Sequence, residues 1–164
     1  MRYLTLATVV CAALVAPASA QAPDPQLMAP IQKFIESFNK GDMAGASATH
    51  AAGADLVIID EVPPFVWRGP KAFQDWSAAL DTASKHAGMT DQVVTIRAAT
   101  RTESNADTAY VIVPAVFTYK EKGVPMREAA QMTFVLKKGG TGWLIHGWTW
   151  TGPKPQRAEP AVKR

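Results

Sequence analysis

The sequence predicts an α+β domain: a cone-shaped, curved antiparallel sheet packed on three N-terminal helices. Three observations predict it. Apolar residues recur at helical spacing in the N-terminal part, whereas from residue 92 onward they alternate. Turn-forming clusters, Ser104-Asn105-Ala106-Asp107, Lys122-Gly123 and Gly139-Gly140-Thr141-Gly142, divide that later part into four strands. Helices segregated from antiparallel strands make an α+β domain. Pro114, inside the second of these strands, lacks a ladder donor and implies a bulge or an edge. A long bulged sheet curves around its helices and leaves a conical cavity.

Residues 1–20 read as a signal peptide. Arg2 supplies the positive start, residues 4–15 an apolar core, and Ala18-Ser19-Ala20 a small-residue cleavage site, so Gln21 is the expected mature start. The apolar run is about a dozen residues, short of the ~20 that span a bilayer. A lipoprotein site at Cys11 is disfavoured because Val10 stands where a small residue is needed. The expected location is periplasmic or secreted, with no membrane anchor after cleavage. Cys11 is the only cysteine, so the processed chain has no thiol chemistry and no disulfide. Arg2 is the only charged residue of the first twenty; removing it takes the formal charge from +3 to about +2, too little and too scattered for nucleic acid.

Residues 21–26, with Pro23 and Pro25, form a leader to a domain over 27–152. Leu27, Ile31, Phe34, Ile35 and Phe38 lie at helical spacing, and Pro30 suits a first turn. Gly41 ends this helix, and Asp42 is placed to cap a second, Ala-rich one through Thr49 or His50. Residues 55–61 are rich in β-branched side chains and read as a strand broken by Pro63-Pro64. Residues 65–68 give a short second strand. Gly69-Pro70 opens a third helix with Phe73, Trp76 and Leu80 on its apolar face and Gly88 past its end. The four long strands are 92–102, 108–119, 127–137 and 143–151. Residues 153–164 are rich in proline and charge and read as a disordered tail. In the last strand, strict alternation puts Leu144, His146, Trp148 and Trp150 on one face and Trp143, Ile145, Gly147, Thr149 and Thr151 on the other, so both faces carry tryptophan.

Residues 31–42, 54–60, 67–73 and 142–145 together resemble the nuclear-transport-factor-2-like superfamily, which includes SnoaL-like and ketosteroid-isomerase-like domains. The resemblance rests on a helix ending in Gly41-Asp42, a strand ending in Asp60, a third helix led by Gly69, and a terminal Gly142-Trp143. It implies the cone-shaped fold, a homodimer formed through the sheet, and no obligatory cofactor. In ketosteroid isomerases an Asp base ends the first strand, and Asp60 matches it. Their oxyanion hole takes a Tyr from the first helix and a protonated Asp from a late strand. The matching positions here are Phe34 and Met132 or a neighbour, and neither Phe34 nor Met132 can donate a hydrogen bond.

Asp60 is the candidate general base and His146 its candidate partner, provided both face one cavity. Glu61 is expected on the opposite strand face, so no carboxylate pair is expected. Phe34, Phe38, Trp67 and Trp148 are the candidate ligand-binding residues. His50 and His86 lie near helix ends and are expected at the surface. The three histidines are too widely spaced for a metal site. The functional expectation is an exported domain that binds a small, largely apolar molecule. The alternative is a cofactor-free isomerase, lyase or cyclase with Asp60 as base.

Overall fold

The computed structural model describes residues 24–159. The expected signal peptide, the start at Gln21 and the last residues of the tail lie outside them. Among the described residues are three helices, α1 (Pro25–Asn39), α2 (Met43–Ser47) and α3 (Ala72–Ala87). The strands are β1 (Val57–Ile59), β2 (Val66–Arg68), β3 (Met89–Ile96), β4 (Arg101–Ser104), β5 (Thr108–Glu121), β6 (Val124–Gly139), β7 (Gly142–Thr151) and β8 (Gln156–Arg157). They form one curved, unclosed sheet in the order β2-β1-β7-β6-β5-β3, with β4 also on β5 and β8 also on β6. No described helix is long and apolar enough to cross a membrane.

The helix α1 begins earlier than Pro30. Asp24 caps it by accepting from Gln26 N at 2.9 Å, and Pro25 occupies the tolerated first position. The leader thus contributes to the helix, and Pro30 is accommodated inside it. Leu27, Ile31, Phe34 and Ile35 form its buried stripe. Asp42 caps α2 by accepting from Gly45 N at 2.8 Å. Gly88 ends α3 in the left-handed conformation, φ 70°.

The sheet is mixed rather than wholly antiparallel, because β1 runs parallel to β7. Its backbone is the long β5–β6 hairpin, closed by Lys122-Gly123, both at positive φ as a tight two-residue turn requires. Residues expected as one strand over 92–102 are divided into β3 and β4, which pair with successive parts of the same edge of β5. Pro114 sits at that division. Its carbonyl accepts from Arg97 N at 3.0 Å, so its missing N–H points to the gap between β3 and β4 and no ladder bond is lost. The tail is not wholly without structure: Gln156 and Arg157 pair with Arg127 and Met126 of β6.

The inner face of the sheet carries Val111, Val113, Phe117, Met132, Phe134, Leu136, Ile145 and Trp148, all buried. They pack against Leu27, Ile31 and Phe34 of α1 and Phe73 and Trp76 of α3 in one core. Each such side chain, fully buried, contributes about 1.5–3 kcal/mol of transfer free energy.

Candidate active site and cavity

The last strand does not alternate strictly. Val135 pairs with Gly147 but Leu136 pairs with Ile145, so His146 is an extra residue in β7, a β-bulge. The bulge falls where the neighbour of β7 changes. Residues 49–51 pair beside Ile145, with Ala51 N donating to Ile145 O and Ile145 N to Thr49 O, both at 2.9 Å. Beyond it, β1 takes over at Gly147. A Cβ on Gly147 would stand 2.9 Å from Val57 O, so this close parallel approach needs glycine.

One extra residue reverses the facing of everything before it. Trp143 and Ile145 therefore join Trp148 and Trp150 on the inner side, and the expectation of tryptophan on both faces is corrected. His146 is moved out of the cavity. It lies near Lys137 and Asp55 on the outer side, and burial, then the Lys137 charge, lowers its pKa. His146 is no partner for Asp60.

A cavity of about 60 Å³ opens between α1, α3 and the inner face of the sheet. Its walls include Phe34 and Phe38 from α1, Trp76 from α3, and Trp148 and Trp150 from β7. Trp76 and Trp148 meet edge to face, centroids 4.9 Å apart, and Phe34 packs on Trp148 at 5.6 Å. Trp67 does not reach the cavity. Its strand β2 is the end strand, beyond β1, so its inward side chain is buried in the core beside Ile58 instead.

Behind this wall lies His50, 6% exposed rather than at the surface. Trp148 Nε1 donates to His50 Nε2 at 3.0 Å, and an indole nitrogen can only donate. Nε2 therefore carries no proton, and Nδ1–H donates to Ala46 O at 2.9 Å. Burial holds the ring neutral, with its pKa lowered to about 4. Protonating Nε2 would set one N–H against another.

The rim is acidic. Asp60 is half-buried; its Oδ2 accepts from Trp76 Nε1 at 2.6 Å and its Oδ1 from Glu61 N at 2.7 Å. Burial raises its pKa, and these two hydrogen bonds oppose the rise. Glu61 lines the same cavity, contrary to the alternation reading. The strand β1 stops at Ile59, so Asp60 and Glu61 lie past the pleat.

Glu61 faces a third carboxyl that the sequence reading missed. Glu128 of β6 is 1% exposed, and its Oε1 accepts from Trp150 Nε1 at 2.7 Å. Its Oε2 is buried with no donor among the described residues. Burial, with the Glu128 charge, pushes Glu61 up to about 7, although much of the residue is exposed at the mouth. Burial also raises Glu128, against the opposing Trp150 hydrogen bond. Gly152 leaves room for this arrangement, since a Cβ there would fall on Glu128 Oε1. The signal was in the sequence: the alternation of Leu136, Phe134 and Met132, carried back through Ala130, lands on Glu128.

Among the described residues no three His, Cys, Asp or Glu side chains converge as a metal site. The site can do two things with its own groups. It can enclose an apolar body against aromatic faces, and it can hold or accept protons at three clustered carboxyls.

Solved structures share this architecture. A ketosteroid isomerase-like protein from Erwinia carotovora atroseptica is 23% identical, TM-score 0.59, over 77% of this chain and 93% of that one. A nuclear transport factor 2-like superfamily protein from Salmonella enterica serovar Typhimurium is 15% identical, TM-score 0.64, over 79% and 89%. A nuclear transport factor 2-like protein of unknown function from Shewanella oneidensis is 13% identical, TM-score 0.54, over 76% and 95%. At these identities the likeness is one of fold. Comparison with curated protein sequences finds no match. The SnoaL-like domain family matches residues 27–148, from the first buried leucine of α1 to the cavity tryptophan of β7. With this match over most of its length, the chain belongs to the SnoaL-like domain family, and its curved sheet on three helices is the fold shared with nuclear-transport-factor-2-like structures.

Proposed function

We propose that this protein binds a small, largely apolar molecule, with its polar end at Asp60 and Glu61. The observation that carries the reading is the aromatic-walled cavity with Asp60 fixed at its rim by Trp76. Its volume of about 60 Å³ limits how much of a ligand can be covered. A 150 Å³ apolar cavity takes one benzene. The closed part here suits a short alkyl chain, not a four-ring steroid. It holds roughly two or three methylenes of such a chain, about 2 kcal/mol of transfer free energy, and the rest of the chain lies in the open mouth. The test is NMR titration with 1-pentanol on the wild type and on Leu80→Trp, which fills the cavity from α3. Saturable binding lost in the variant supports the reading; equal binding in both refutes it.

A second reading has its own support. The half-buried carboxyl of Asp60, its pKa raised, suits proton abstraction, as in a cofactor-free isomerase, lyase or cyclase. On that reading Asp60→Asn abolishes turnover of a responsive substrate while leaving stability equal or slightly higher.

Export and self-association belong to the same proposal. Export is supported by Arg2, the apolar run and Ala18-Ser19-Ala20. A processed chain beginning at Gln21, found by mass spectrometry outside the cytoplasm, is the expected result; an intact cytoplasmic chain contradicts it. A homodimer is supported by exposed Val93, Tyr110 and Val135 on the outer sheet face. Analytical ultracentrifugation should show a dimer that Val135→Lys weakens.

A further inference from the structure

The cavity presents hydrogen-bond acceptors and no free side-chain donor. Three of its lining side chains carry an N–H, and all three are committed: Trp76 to Asp60, Trp148 to His50 and Trp150 to Glu128. The lining includes the carboxyls of Asp60 and Glu61 and no Lys, Arg or His. Among the described residues, Asp60, Glu61 and Glu128 make no ion pair. Glu128, 1% exposed and next to the lining rather than part of it, lies beside Glu61 and keeps Oε2 without a donor among the described residues. A buried carboxylate oxygen with no partner is costly unless something supplies a proton or a positive charge. Phe117, Trp76 and Trp150 line the cavity beside these carboxyls.

We infer that the ligand is an organic cation, a protonated amine on a short apolar body. Its ammonium sits among Asp60, Glu61 and Glu128, and its apolar part lies against Phe34, Trp76 and Trp148. An ammonium carries three donors, so it can hydrogen-bond more than one of these carboxyls at once. A neutral alcohol can satisfy one of them at most, and a carboxylate ligand is repelled.

This inference rests on the cavity being a ligand site, and the test separates the two. Pentylamine, 1-pentanol and pentanoate share one apolar body and differ in charge. Each is titrated at pH 7.5 into the full chain, followed by the indole N–H signals of the cavity tryptophans. The expected order is pentylamine at least ten-fold tighter than pentanol, with pentanoate weakest. Glu128→Gln retains an oxygen for Trp150, and Glu61→Gln changes an exposed residue. In either variant the amine-to-alcohol ratio should fall at least three-fold, because amide replaces a carboxylate that favours the cation over the neutral alcohol. Equal affinity for amine and alcohol, or tighter pentanoate, overturns the inference and leaves the cavity reading standing. Failure of all three to bind overturns both. An unchanged ratio in both variants also overturns it, because the preference would then arise elsewhere.

Discussion

Acidification should destabilise this protein through His50, by an amount its surroundings fix. The ring is buried, its Nε2 accepts from Trp148, and its pKa is lowered from 6.5 to about 4. Between those values the unfolded chain holds a proton on this ring that the folded chain does not. Stability therefore rises with pH through the window: the contribution is complete above 6.5 and is lost as pH falls through 4. The full shift is worth about 3 kcal/mol, and about 2.5 kcal/mol separates pH 7.5 from pH 4.5. The raised carboxyls act oppositely: they favour the folded state at low pH and lose that contribution as pH rises through the folded pKa, about 7 for Glu61. Comparing wild type with His50→Gln cancels them. Urea unfolding at both pH values should show the wild-type advantage shrinking by about 2.5 kcal/mol on acidification. Parallel pH profiles would refute the buried, neutral ring. An Hε1 resonance of His50 titrating near 6.5 in the folded state would refute it too.

Carboxyl carbon NMR should find Glu61 titrating near 7, and Glu128→Gln should lower that midpoint by removing the facing charge. A midpoint unmoved by the variant would mean the two carboxyls do not face each other. Gly147→Ala should cost about 1–3 kcal/mol in urea unfolding, because its methyl meets the Val57 carbonyl across the β1–β7 pair. A neutral outcome would mean the parallel pairing is looser than described. Gly152→Ala should disturb Glu128 and lower affinity for pentylamine more than for pentanol.

The helices and long strands were legible because their burial is periodic. Leu27, Ile31 and Phe34, or Met132, Phe134 and Leu136, announce one face each. What misled was local. The β-bulge at His146 leaves no mark in composition, and one uncounted residue put His146 on the face of Trp148 and Trp143 on the other. Glu61 was assigned by a pleat that had already ended at Ile59. Glu128 was overlooked because an acid at an inward strand position contradicts the usual hydrophobic rule, although alternation pointed to it. His50 lay beyond a short helix, and its burial depends on a pairing with Ile145 that no local pattern encodes. Asp60, Phe34, Phe38 and Trp148 line the cavity, while Trp67 belongs to the core.

The central claim is that the aromatic cavity takes a ligand, and the tryptophans themselves report on it. The chain has five, each with one indole N–H signal. Trp76, Trp148 and Trp150 line the cavity; Trp67 and Trp143 pack elsewhere in the core. A ¹⁵N correlation spectrum recorded during titration with pentylamine should shift the first three signals along one saturable curve. The other two should stay in place. Static signals for Trp76, Trp148 and Trp150, or shifts confined to Trp67 and Trp143, would contradict the account.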